Sequence, residues 1–317
     1  MTPVSQIALD ASCDFPRTYL EQHGVHIIPS HYVLKGLPEI DTGDVKFTQA
    51  FYSNPQKQQM TPLLAYGANE TATVAQSIDR LIKSNINHLT ILTASEHFSK
   101  MHVMIRDITF QNRDHIAAVR KNAGILSPIK IKVIDSNCIL SGYGLVAYEA
   151  IRYTTEKALP PEQLSGVLAR LSNRVDTFIS VASYDAFKYL STQFDLTSTF
   201  DQKLSWLQMK KLQMTGQSVN VLFTQKRFEF GEIHKDRPVA TQQLFNEVLT
   251  RLKTGQYQPR INISMAASRS EIRTHQVLNQ FISDAQRLGA KVTVNMMSVS
   301  GVAMVGRNAI SVSAIKV

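Results

Sequence analysis

The chain has 317 residues, 44% hydrophobic and 19% charged, with a formal net charge of +9. That length suffices for two domains sharing one cleft, and the balance is that of a folded globular protein, not a low-complexity or disordered one. Basic residues are scattered in runs of no more than two and are not interleaved with aromatics, which argues against a nucleic-acid platform and leaves a solvated basic surface suited to acidic protein partners.

The chain begins MTPVSQIALD, without the basic and long apolar regions of an export signal, so the cytoplasm is the expected compartment. No apolar run reaches the length of a membrane span. Val4 to Leu9 reads as a short buried strand that stops at Asp10. A small polar loop follows, and Pro16 opens a helix ending near Gly24. Strand, polar loop and helix start form the layout that places ligands at the carboxyl end of a parallel sheet. Val25 to Leu34 is extended, with Pro29 marking an edge or a bulge. Gly36 to Asp41 reads as a turn and Asp44 to Tyr52 as a helix. The polar loop from Ser53 to Met60 leads to Thr61-Pro62, where the proline biases Thr61 to an extended backbone. Val74, Ile78, Leu81 and Ile82 share one side of a helix from Asn69 to Lys83.

His88 to Thr93 is a second parallel strand, Ala94 to Ser99 a polar loop, and Lys100 to Asn122 a long helical region. Ile129 to Ile134 is a third strand ending in Asp135-Ser136, followed by a helix from Ser141 to Lys157. The repeated unit predicts an α/β domain over residues 1–158 with a doubly wound parallel sheet. Pro160-Pro161 marks the boundary. Beyond it come a helix (Glu162 to Asn173), a strand (Thr177 to Ala182) and a polar helical region (Tyr184 to Thr215). Ser218 to Thr224 and Arg227 to His234 form a hairpin across Gln225-Lys226. A helix (Thr241 to Lys253), a strand (Arg260 to Ala266) and a helix (Arg269 to Leu288) precede the closing strands, Lys291 to Met297 and Ala309 to Ile315. Residues 159–317 therefore read as an α+β domain with a mixed sheet.

Common chemistries find little support. Cys13 and Cys138 are too few for a disulfide framework and read as reduced thiols in the packed interior. Gly142-Tyr143-Gly144-Leu145-Val146-Ala147 fits G-x-G-x-x-A but stands too far past its strand to meet a pyrophosphate. Its glycines serve close helix packing instead. The nine histidines form no compact ligand set. Asp10 and Asp14 flank Ser12; a phosphotransfer or hydrolase enzyme using both is the alternative reading, weakened by Ser12 where a second acid is wanted. What remains is a set of loop hydroxyls at strand ends, Thr61, Ser95 and Ser99, with Arg237. Such groups can hold a carboxylate. At the mouth of an apolar tunnel they suit a fatty acid, whose burial contributes about 0.8 kcal/mol per methylene. Ser99, just ahead of a helix, is also a candidate cap.

The sequence DASCDFP, with Asp10, Ser12, Asp14 and Pro16, resembles the D-S-T-x-D-L-P signature opening DegV-family proteins. Asp41 and Thr61 fall at the family's aspartate after the second strand and at the threonine of its T-S-Q-P segment. ILTASEHFSKMH resembles its S-S-x-L-S-G-T-Y segment, and Ile134-Asp135-Ser136 with Ser141, Gly142 and Gly144 resembles V-I-D-S…S-x-G-x-G. Lys235-Asp236-Arg237 resembles its K-x-R, and Gly306 to Ile310 its terminal G-P-G-A-L. The resemblance runs the whole chain in order. It implies one long-chain fatty acid bound between two α/β domains and presented by its carboxyl group to a separate fatty-acid kinase. It also implies a carrier rather than a catalyst, with no cofactor beyond that ligand. The head-group residues carry over to Thr61, to Ser95 or Ser99, and to Arg237. Asp10, Ser12, Asp14, Asp135 and Ser136 become supporting loops, Ser12 being the one expected to reach the head group. The departures fall in the same places. Pro62-Leu63-Leu64 replaces S-Q-P, Lys100-Met101 replaces G-T, Tyr189 to Phe194 stands for L-x-x-G-G-R, and Met304 stands at a histidine. His97 and Lys100 are new polar groups beside the head-group loop.

Overall fold

The structure is a computed structural model, and it describes residues 5–54, 57, 62–65, 67–157, 159–181 and 218–317. The first strand, β1 (Ser5–Asp10), turns at Pro16 into α1 (Arg17–Gln22), and β2 (His26–Ile28) returns beside it in parallel. Pro29 separates β2 from β3 (Ser30–Leu34). Proline gives no N–H to a ladder, and here the chain leaves the parallel sheet for a small antiparallel one. β4 (Leu37–Asp41) folds back on β3 across Lys35-Gly36, both at positive φ (53° and 78°). The turn expected over Gly36 to Asp41 is thus mostly strand. Leu37 to Ile40 stay largely solvent-facing and include Pro38, so no apolar alternation announces them. α2 (Val45–Ser53) is capped by Asp44, whose side chain accepts from the Lys46 and Phe47 N–H groups at 2.6 and 3.1 Å. β5 (Leu63–Ala65) completes the sheet β4-β3-β5.

α3 (Ala68–Ile82) buries Val74, Ile78, Leu81 and Ile82, the side its spacing predicts. After β6 (His88–Thr93) the expected single helix is two, α4 (Met101–Gln111) and α5 (Arg113–Asn122). The break falls at Asn112, whose amide donates to the Ile108 carbonyl at 2.9 Å and so competes with the helical ladder. β7 (Lys130–Asp135) and α6 (Leu140–Thr155) close this half. The sheet order is β2-β1-β6-β7, all parallel. Ala8, Leu89 and Ile91 face α3 and α4, while Ile7, Leu9, Leu92 and Ile134 face α6. The doubly wound arrangement follows. α7 (Pro161–Ser172) packs on that second face through Leu164 and Leu168.

The remaining strands are β8 (Val175–Val181), β9 (Ser218–Thr224), β10 (Arg227–His234), β11 (Tyr257–Met265), β12 (Lys291–Met296) and β13 (Ile310–Lys316). Their order is β10-β9-β8-β13-β11-β12, with only β11 and β12 parallel among its pairings, so this sheet is mixed as predicted. The hairpin turn Gln225-Lys226 takes φ of 47° and 66°. α8 (Arg237–Lys253) begins four residues earlier than expected, and the predicted helix from Arg269 is again two, α9 (Arg269–Thr274) and α10 (Gln276–Arg287). His275 divides them; its ring accepts from the Leu278 N–H at 3.1 Å and caps the second. The helical region expected over Tyr184 to Thr215 lies outside the described residues.

Period-2 alternation gives the mixed sheet two unlike faces. Ile261, Ile263, Met265, Val312 and Ala314 pack under α8 and α10. The opposite face is polar in the middle (Asn262, Ser311, Ser313, Thr177) and apolar on the β8–β9 side (Ile179, Val181, Val219, Val221, Phe223). α6 docks on the polar middle. Ser141 Oγ lies 2.6 and 2.7 Å from the hydroxyls of Ser311 and Ser313, and Asn262 donates to the Asp14 and Ser141 carbonyls at 2.8 Å each. A side chain at Gly142 would overlap Thr177, and one at Gly144 the Asp14 carbonyl. The glycine pair thus serves close approach of a helix. A short helix missed in the sequence, α11 (Val299–Val305), carries only buried residues and is too short to show a period.

Candidate functional site

Three loops meet at the carboxyl end of the parallel sheet. Asp10, fully buried, accepts from the Ser12 N–H at 2.9 Å and from the Ser12 hydroxyl, and its other oxygen accepts from the Ala94 N–H at 2.7 Å. The β1 loop is thereby tied to the end of β6. Tyr143 adds a cross-brace, donating to the Leu92 carbonyl at 2.6 Å and accepting from the Asp10 N–H at 3.2 Å. Asp135 accepts from the Asn137 N–H at 2.7 Å and the Glu96 N–H at 3.3 Å, and the Ser136 N–H donates to the Thr93 carbonyl at 3.0 Å. Burial pushes the Asp10 and Asp135 carboxyls up, against the hydrogen bonds that pull them down.

Two more aspartates reach across to the mixed sheet. Asp14 Oδ1 accepts from the Ser298 N–H at 2.8 Å, and Asp41 accepts from the N–H and hydroxyl of Ser300 at 2.9 Å each. Both therefore hold the first turn of α11, where a negative charge is favoured. Burial raises Asp14 to about 6, opposed by the Ser298 N–H and the Ser264 and Ser298 hydroxyls. Asp41 is pushed up by the same cause. Sequence reading missed the role of Tyr143, Asn262, Ser298 and Ser300; Ser298, three residues before a glycine in a small-residue run, was the one available signal for a helix cap.

The expected head-group residues fall as follows. Ser95 is fully buried; its N–H donates to the Cys138 carbonyl at 2.9 Å, while its hydroxyl has no hydrogen-bond partner among the described residues. Three residues on, Phe98 is fully buried edge-on against Phe223 and Phe228, with centroids 5.2 and 5.1 Å away. Around these rings lies an apolar cluster drawn from both halves, including Tyr32, Phe51, Ile179, Val221 and Met304. Ser99 is buried and its hydroxyl accepts from the Met101 N–H at 3.2 Å, serving the start of α4. The Ser12 hydroxyl gives its proton to Asp10. His97 and Lys100 are exposed. Arg237, half-buried at the start of α8, lines a different cleft of about 490 Å³ with Met265, Ala267 and His275; burial lowers its pKa. No residue from 94 to 99 lines that cleft. Thr61 lies outside the described residues. Cys13 and Cys138 are buried free thiols whose pKa burial pushes up, which leaves them unreactive. Among the described residues no group of three or more His, Cys, Asp and Glu side chains is placed to hold a metal, and no helix is long and apolar enough to cross a membrane.

A parallel and a mixed sheet, locked together by buried aspartates and sharing an apolar cluster, define a two-part α/β protein with the cluster between its halves. The chain belongs to the DegV family: residues 5–189 match the model of that family, described as an uncharacterised protein family. A DegV domain-containing protein of Xanthomonas axonopodis pv. citri is 23% identical over 153 residues, 46% of each chain, and one of Xanthomonas campestris pv. campestris is 24% identical over the same span. The match thus spans about half the length of these curated relatives. Among solved structures, a stearic acid-binding protein from Eubacterium ventriosum superposes with a TM-score of 0.73 at 16% identity, covering 99% of this chain and 98% of that one. A DegV lipid-binding protein from Thermotoga maritima gives 0.72 at 12% identity, covering 99% of each. The fatty acid-binding DegV of Bacillus subtilis gives 0.69 at 15%, covering 99% and 100%. At these identities the likeness establishes the fold.

Proposed function

We propose that the protein is a cytoplasmic carrier that binds one long-chain fatty acid between its halves, residues 1–158 and 159–317. The acyl chain lies in the apolar cluster around Phe98, and the carboxylate is held at Ser95. The observation that carries this reading is the Ser95 hydroxyl, buried without a partner among the described residues beside that cluster. A buried hydroxyl left unbonded is costly, and a carboxylate oxygen would accept its proton. The solved relatives that bind stearic acid and other fatty acids add support from outside the chain. Thr61 and Ser99 join Ser95 in the proposed head-group set, Arg237 standing in the separate cleft beside α8, with Asp10, Ser12, Asp14, Asp135 and Ser136 holding the loops. The carboxyl group is then presented to a fatty-acid kinase, and no reaction is assigned to the chain itself. Both oxygens of Asp10 are already taken by protein donors, which counts against its service as a nucleophile.

The deciding experiment is denaturing extraction of the purified protein followed by mass spectrometry. The expected result is close to one long-chain fatty acid per chain, lost in Ser95→Ala. Protein that carries no lipid and takes up none when offered oleate would end the proposal.

A further inference from the structure

A second cleft, about 340 Å³, opens between the β1 loop, the start of α2 and α9. No residue from 94 to 99 lines it. Arg17, Arg269 and Arg273 all do. Ion pairs within 4 Å are made by Arg106, Arg152, Arg251 and Arg287, and by none of these three among the described residues. The one lining carboxylate among the described residues, Asp14, already serves the Ser298 N–H.

Arg17 lies near enough to Asp41 to draw that carboxyl's pKa down, yet its guanidinium is only partly bonded among the described residues. Its Nη2 donates to the Ala11 carbonyl at 3.5 Å, while Nη1 is buried with no acceptor among the described residues. The guanidinium passes where a Cβ would stand at residue 43; that residue is Gly43, at a φ of 65°. Only glycine takes that backbone freely and leaves that space. Three like charges facing one cleft repel unless an anion offsets them, and guanidinium groups match planar or tetrahedral oxyanions in paired hydrogen bonds. Phe15, Ile272 and Val294 supply an apolar wall. A cleft of this size, apolar with a few convergent donors, fits a small organic molecule.

We propose that this cleft is a second ligand site, taking a small phosphate monoester with an apolar body. It is independent of the fatty-acid site.

The test is calorimetric titration of the purified, lipid-loaded protein at low salt with phenyl phosphate and with benzoate. Phenyl phosphate is expected to bind saturably at one site per chain and more tightly than benzoate. Arg269→Gln/Arg273→Gln, two exposed positions, should weaken it by roughly tenfold or more, with fatty-acid content per chain unchanged. Arg17→Gln should weaken it further; should that half-buried change prevent folding, the double variant decides alone. Absence of saturable phenyl phosphate binding at millimolar concentration, or equal affinity in the double variant, overturns the site. Benzoate binding as tightly as phenyl phosphate overturns the assignment to phosphate.

Discussion

The two halves of the molecule are joined in two ways. Where α6 meets the middle of the mixed sheet, the join is polar and closed. Ser141, Ser311, Ser313, Thr177 and Asn262 satisfy one another at 2.6 to 2.9 Å, and two glycines let the helix approach. Where the Ser95 loop meets the β8–β9 side of the same sheet, the join is apolar, and the buried Ser95 hydroxyl lacks a partner among the described residues. A satisfied polar seam fixes orientation, because every misfit leaves a group unbonded. An apolar join tolerates rearrangement and can admit a chain of methylenes. The same sheet face thus carries a join of fixed geometry beside a region able to take a ligand.

The largest test of that contrast is Phe98→Ala. The ring is fully buried between Phe223 and Phe228, and its loss should cost about 3–5 kcal/mol in urea unfolding of delipidated protein. Fatty acid should be lost with it. A cost below about 1 kcal/mol would mean that the rings do not hold the join together. Next is Asp10→Asn, which keeps one acceptor oxygen and turns an amide against a backbone N–H. A loss of about 2–3 kcal/mol is expected, with lipid retention falling in step, since the loops after β1 and β6 come apart together.

Acidity probes the crossing aspartates. Asp14 stands at about 6 in the folded chain against an ordinary 3.8. The folded state therefore holds the proton more tightly, and stability falls as pH rises between those values. Its contribution is fully present below about pH 4 and gone above about pH 6. Asp10 and Asp41 shift in the same direction. Urea midpoints for the native chain should drop from pH 4.5 to pH 7 by more than those of Asp14→Asn. Equal slopes would show that Asp14 is not the buried acid responsible.

What the sequence made legible follows the physics of each region. Strands mostly buried on both faces read as apolar runs ending at Asp10 and Thr93, and the edge strand ending at Asp135 as an alternating one, so the doubly wound sheet stood out. β4 did not, because Leu37 to Ile40 are not buried against a core. α11 did not, because seven residues all buried carry no period. Asn112 and His275 break helices through their side-chain hydrogen bonds, which apolar spacing does not encode. Ser95 was visible as a hydroxyl at a strand end. Its lack of a partner depends on Cys138, Phe98 and the far sheet, and only folding brings these together. Arg17 lies some 250 residues from Arg269 and Arg273, so their meeting gave no local signal at all.

The smallest effect separates the two joins most cleanly. Ser141→Ala removes the hydroxyl that links Ser311 and Ser313; it should cost about 1–2 kcal/mol and leave lipid binding intact. Ser95→Ala removes a hydroxyl that bonds nothing among the described residues. In delipidated protein it should change stability by no more than about 0.5 kcal/mol, or raise it, since an unbonded buried hydroxyl is a liability. In lipid-loaded protein it should lower stability, because the native chain draws binding energy from the carboxylate that the variant does not hold. The sign of the Ser95→Ala effect should therefore depend on the ligand and that of Ser141→Ala should not. A Ser95→Ala chain destabilised equally with and without fatty acid would make Ser95 one more member of the polar seam, and the contrast between the joins would fail.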